Sequence, residues 1–218
     1  PMLQFHLFGF PVRVHWLFWL NSALLGGAFT ARTPLQMQAV MVWVAMVFLS
    51  ILIHELGHAF VMRRFGDRRT EIILYAFRGL AVSHSWHRPR EQILISAAGP
   101  ALQIGVGLLV HLVTKSMHLE PGLLRYGIGS FLFISVFWGA LNLLPIIPLD
   151  GGRISEALFG PARERAALAL SLTCAIGLAV AMGLMLGQLI AAIFFGMLAY
   201  NNWQRLNRAD QLPWMNVR

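Results

Sequence analysis

His54-Glu55-Leu56-Gly57-His58 sets two imidazoles four residues apart with a carboxylate between them. On a helix, positions i and i+4 share a face about one turn apart, so both rings can reach one metal ion. That donor pair suits Zn²⁺, and a glutamate beside it is the residue type that takes a proton from an attacking water. The setting sharpens the pattern, because Val42 to Phe60 is otherwise almost wholly hydrocarbon. Ionisable groups inside such a stretch are costly to place and usually mark a functional site.

A catalytic zinc commonly takes three protein ligands and keeps one position open. A candidate third ligand lies in Asn142-Leu143-Leu144-Pro145-Ile146-Ile147-Pro148-Leu149-Asp150-Gly151-Gly152. Two prolines end an apolar helix there, and two glycines free the backbone beyond them. Backbone that leaves helical form at membrane depth has to be buried in protein or line a watery cavity. Two uses are open for Asp150: an oxygen ligand turned toward the bundle, or the N-cap of a short helix over Gly151–Leu158.

Composition says what scaffold holds these residues. Of 218 residues, 57% are hydrophobic and 12% charged, against about 25% charged in a soluble domain, and mean hydropathy is +0.65. The expectation is an all-α polytopic membrane protein forming one domain over residues 1–218, with a core over 5–160 and C-terminal helices over 165–205. Six apolar spans of bilayer length can be drawn: Val14–Ala31, Leu35–Val61, Ile93–Thr114, Leu123–Leu144, Ala166–Leu186 and Gln188–Trp203. Only a tight turn near Gly187-Gln188 separates the last two, and arginine placement favours six spans over five. With the N-terminus inside, all but Arg32, Lys115 and Arg125 of the 17 Lys and Arg fall on one side. The second and fourth spans then run the same way, bringing both motifs to one side of the membrane.

Two stretches are expected to be extended. Leu3 to Leu7 alternates apolar with polar before Gly9-Phe10-Pro11, which predicts a short strand and turn, and Glu71 to Trp86, rich in β-branched and aromatic residues, predicts a hairpin or pair of strands on the cytoplasmic side. The net charge of +8 sits in short loops between spans, with no aromatic-basic module, so nucleic-acid binding is not expected. No cleavable signal peptide is expected, and the single Cys174 excludes an intramolecular disulfide.

The two motifs, in this order and roughly 90 residues apart, resemble those of the site-2 proteases, a family of intramembrane zinc metalloproteases. His54, Glu55 and His58 match the family's H-E-x-x-H; Asn142, Pro145, Pro148, Asp150 and Gly151 match its N-x-x-P-x-x-P-x-D-G. Gly9-Phe10-Pro11-Val12-Arg13-Val14-His15-Trp16 and Ala98-Gly99-Pro100 are also similar to the family, and the likeness covers residues 5 to 160. One departure is Gln103, where many members carry Asn shortly after the Ala-Gly-Pro. No PDZ or CBS-like domain is expected.

The resemblance implies hydrolysis of a peptide bond within or beside a substrate's transmembrane helix. It implies one Zn²⁺ per chain on His54, His58 and Asp150, with Glu55 as general base. Asn142 has two readings, a donor to the oxyanion or an interhelical hydrogen bond. An unwound substrate can add to an unpaired strand edge; the Ile72–Val82 region is the candidate, through Ile72, Leu74, Ala76 and Gly79, unless it merely plugs the loop. The implied partners are the lipid bilayer and a membrane-tethered regulator, such as an anti-sigma factor or transcription-factor precursor, cut to release a cytoplasmic fragment. The implied location is a prokaryotic inner membrane with both termini cytoplasmic. A metal transporter and a proteolytically inactive helix-binding scaffold are the alternatives. Related halves with corresponding broken helices, common in transporters, are not visible, and an inactive scaffold leaves Glu55 without a purpose.

Overall fold

The computed structural model describes residues 2–67, 69–75, 78–82, 87–185 and 187–211, with backbone alone at 78–80 and 209–211. The described residues fall into two compact units, one of residues 1–87 with 98–141 and one of 88–97 with 142–218.

The first unit opens with strands β1 (Met2–Leu7) and β2 (Phe10–His15), then helices α1 (Trp16–Leu25) and α2 (Pro34–Arg64), then strands β3 (Glu71–Tyr75) and β4 (Arg78–Val82). The four strands make one sheet in the order β1-β2-β3-β4. β1 and β2 form a hairpin whose two turn residues, Phe8 and Gly9, both take positive φ, as a two-residue hairpin turn demands. β2 pairs parallel with β3, and β3 pairs antiparallel with β4. Alternation sets the sheet's inner face: Phe10, Val12 and Val14 of β2 and Ile72 and Leu74 of β3 are fully buried. That face meets the end of α2, where the Phe10 ring lies 5.4 Å from Phe60 in an edge contact. Arg63 stacks its guanidinium 3.5 Å over Phe10 and donates to the carbonyls of Phe8 and Gly9, each at 2.9 Å.

Helix α2 starts at a capping box, Thr33 accepting from the Gln36 amide while the Gln36 side chain accepts from the Thr33 amide, with Pro34 in its first turn. Its 31 residues extend about 46 Å, more than a bilayer's hydrocarbon core. Helix α3 (Pro89–Thr114) contributes its residues from Ala98 onward to this unit. Helix α4 (Leu123–Phe133), which packs on α2, runs through a π-helical turn at Ile134–Trp138 into the short α5 (Gly139–Asn142).

The second unit contains α6 (Asp150–Phe159), α7 (Glu164–Val180) and α8 (Leu189–Gln211). α7 and α8 pack on one another, with Ala167, Leu168 and Ala175 of the first and Phe195, Leu198 and Ala199 of the second buried.

The chain is mostly helical with a small sheet, as expected, while helix length and composition account for four of the six expected spans. Among the described residues four helices are long and apolar enough to cross a membrane: Pro34–Arg64, Pro89–Thr114, Leu123–Asn142 and Pro161–Met185. The expected first span begins within β2, which holds Val14 and His15, and its apolar helix α1 is only 10 residues long, ending at Gly26 and Gly27. Gly27 takes φ +84°, and a Cβ on Gly26 would stand 2.5 Å from Trp43 Cδ1. α8 continues to Gln211 through Asn201, Asn202, Gln204, Arg205 and Arg208, so it is helical beyond the expected end at Trp203 but too polar in its second half to count as a span.

Candidate metal centre

Within the first unit, α2 brings the two histidines together as their spacing requires. His54 Nε2 and His58 Nε2 stand 3.0 Å apart, with ring centroids at 4.7 Å and planes at 81°. Two nitrogens sharing a tetrahedral zinc at about 2.0–2.1 Å would lie about 3.3 Å from each other, so the pair is already close to the spacing one ion requires. His54 Nδ1 donates to Gln103 Oε1 at 2.8 Å, which puts the ring proton on Nδ1 and leaves Nε2 as the ligating atom. His54, Glu55 and His58 are all buried. This donor set fits a metal ion.

Two glycines make the arrangement possible. A Cβ on Gly57 would run into the carbonyl oxygen of Ala98, so the backbones of α2 and α3 touch there. A Cβ on Gly99 would enter the His58 ring, overlapping Nε2 and reaching within 2.5 Å of Cε1. Gly99→Ala is therefore expected to turn His58 away and weaken zinc binding about 10- to 100-fold, the usual scale of an overpacked contact. Gly105→Ala on the same helix, where nothing lies within 4 Å, should leave binding unchanged in the same zinc titration. Equal affinities for the two variants would contradict the assigned role of Gly99.

The second unit contains the broken segment. Asp150 is the first residue of α6 and is buried. The N-cap is Leu149, without a side-chain cap bond, so Asp150 does not serve as the cap. The irregular backbone before it is satisfied by two later helices. Ile147 N–H donates to Ser171 Oγ at 2.8 Å, and Asn202 Nδ2 donates to the Ile147 carbonyl at 2.7 Å and to the Leu198 carbonyl at 2.8 Å. Ser171 and Asn202 are buried, which keeps this segment's polar groups paired away from solvent. Gly151 lies against the carbonyls of Leu143 and Leu144, and a Cβ on Gly152 would stand 2.5 Å from the Ile146–Ile147 peptide. The segment thus folds back onto the first turn of α6, leaving no room for a side chain beside Asp150. Asn142 ends α5, half-buried, at the start of this segment.

The expected substrate edge also needs correction. Ile72 and Leu74 lie on β3, which is paired on both sides, and their side chains are fully buried in the sheet's inner face. Among the described residues the outer strand on that side is β4, which carries Gly79. Ala76 falls outside the described residues. Gln103, flagged in the sequence only as a departure, is the histidine's partner. Ser171 and Asn202 were not singled out, although Asn202 is a polar residue in an apolar run, the signal that could have pointed to it.

The model of peptidase family M50 matches residues 110–186. The zinc metalloprotease MJ0392 of Methanocaldococcus jannaschii is 26% identical over 157 residues, covering 71% of this chain and 44% of that protein. Stage IV sporulation protein FB of Bacillus subtilis is 32% identical over 154 residues, covering 68% and 47%. The chain thus spans about half the length of these relatives. The solved site-2 protease of M. jannaschii shares the fold, with a TM-score of 0.64, 23% identity and coverage of 94% of this chain and 95% of that one. With both motifs present in the order those proteins carry them, the chain is similar to peptidase family M50 and shares the fold of the site-2 protease.

Proposed function

We propose that the chain is an intramembrane zinc endopeptidase, with His54, His58 and Asp150 holding one Zn²⁺. The observation that carries this reading is the approach of two buried imidazole Nε2 atoms to 3.0 Å, with Gln103 Oε1 placed to accept from His54 Nδ1. Asp150 is assigned as third ligand from its place in the motif, its burial and its not being the cap of α6. When bound, zinc acidifies a water and polarises a carbonyl. Glu55 accepts the proton of the attacking water and returns it to the leaving amine. Asn142 donates to the oxygen that gains charge as the carbonyl is attacked.

The substrate in this reading is a membrane-tethered regulatory protein, cut within or near its transmembrane segment to release a cytoplasmic fragment. The protease sits in the bilayer of a prokaryotic cell with both termini cytoplasmic, the placement that the six-span reading, with its one-sided arginines, gives. A helix hides its amides, so the substrate must unwind, and the outer edge of β4 offers it backbone partners. A cysteine at Val82, in a Glu55→Gln background with Cys174 changed to Ser, should form disulfides with alternate positions of a substrate scanned with single cysteines. Cross-links without periodicity would count against strand addition. Quantitative comparison of membrane proteins in cells carrying wild type or Glu55→Gln tests the function itself: the intact substrate accumulates in the variant. Identical profiles would refute it.

A further inference from the structure

The His54 ring is held by a chain of buried polar groups that the peptidase motifs do not include. Gln103 Oε1 accepts from His54 Nδ1 at 2.8 Å, Gln103 Nε2 donates to Ser50 Oγ at 2.9 Å, and Ser50 Oγ lies 2.8 Å from Ser135 Oγ. Gln103, Ser50 and Ser135 are completely buried. The three come from α2, α3 and the π-helical turn that follows α4, all in the first unit. The surrounding residues leave room for the chain. A Cβ on Gly107 would stand 2.9 Å from Ser135 Cβ, and a Cβ on Gly139 would stand 3.3 Å from Gln103 Oε1.

We propose that Gln103 is a positioning residue that sets the tautomer and direction of His54, and that Ser50 and Ser135 in turn set Gln103. This rests on the reading of His54 as a metal ligand. An amide has one accepting and one donating end, and either could face the imidazole. Were the NH₂ end turned to Nδ1, the ring proton would sit on Nε2, the atom aimed at His58, and that atom could not ligate. In the structure the Oε1 end faces the ring and the Nε2 end faces Ser50 Oγ, which accepts from it and shares with Ser135 Oγ a bond that either hydroxyl can donate. The π-turn at Ile134–Trp138 places Ser135 in the row; such turns commonly accompany function. Three fully buried polar side chains in an apolar bundle are costly unless each is bonded, and here each bond leads to the ligand ring.

The test is zinc titration of the purified full chain, with ¹⁵N-histidine NMR of its metal-free form. Gln103→Leu should weaken zinc binding about 10- to 100-fold, the range for loss of a partner behind a metal ligand. It should also shift the His54 signal away from the Nδ1-protonated tautomer. Gln103→Glu, which keeps an acceptor for Nδ1, should bind within a few-fold of wild type, and Ser50→Ala should fall between the two. Wild-type affinity in Gln103→Leu, or a Glu variant no better than Leu, would overturn the proposal. If Gln103→Leu does not fold, Ser50→Ala decides, and wild-type affinity with an unchanged tautomer there refutes the relay. If wild type itself binds no zinc, the metal reading fails. The tautomer shift between wild type and Gln103→Leu then still decides the positioning role.

Discussion

Asp150→Ala should strip the purified protein of its metal while leaving its helices in place. The expected fall in zinc affinity is at least about 100-fold, beyond the 10- to 100-fold typical of losing a group behind a ligand. Asp150 opens α6 but is not its cap residue, which is Leu149. The fold should survive, and a far-ultraviolet spectrum equal to wild type is the control. Asp150→Asn should weaken zinc less than Ala does, because a neutral oxygen remains. Metal analysis after dialysis against a weak chelator reads all three proteins. Full zinc occupancy in Asp150→Ala would remove Asp150 from the ligand set and reopen the search for the third donor.

Glu55→Gln should show the converse, with zinc retained and cleavage lost. The substitution keeps size and hydrogen-bonding capacity but cannot take a proton, so the rate should fall about 10²- to 10⁴-fold. That range corresponds to about 3–5.5 kcal/mol of barrier. The contrast between the two variants separates metal loading from proton transfer. A variant at Glu55 that lost zinc would make it a ligand or a structural support. Cleavage at the wild-type rate would leave the proton acceptor unassigned.

The parts of this site that were legible in the sequence are those with short periods. His54 and His58 meet because i and i+4 meet on any helix, and Pro145 and Pro148 break the chain wherever they stand. The β3–β4 pair was legible from the β-rich run after Glu71, and β1 from alternation at Leu3–Leu7, but β2 lies where a turn and the start of a span were expected. The parallel join of Val12–Val14 to Ile72–Leu74 was not, because local pattern carries no information about a partner sixty residues away. That join turned the expected edge into an inner strand. The first apolar run misled for a related reason. Val14, the expected start of the span, is apolar because it faces the sheet's own core beside Phe10 and Val12, and a hydropathy window cannot tell the two apart. Gln103 stood out only as a departure from the family's pattern, and its link to Ser50 and Ser135 crosses helices far apart in sequence. A single chain offers no signal for such a contact. Ser171 and Asn202 are hidden in the same way, each answering a peptide group exposed by prolines more than twenty residues earlier.

The central claim is that buried histidines in an apolar helix hold a metal for cutting peptide bonds inside the membrane. It is tested most directly by reconstituting the purified chain in lipid vesicles with a single-span reporter and locating the cut by mass spectrometry. The account predicts cleavage within or beside the reporter's apolar segment, abolished by a zinc chelator, restored by added Zn²⁺ and absent with Glu55→Gln. Cleavage that persists through chelation, or that proceeds equally with Glu55→Gln, would contradict it.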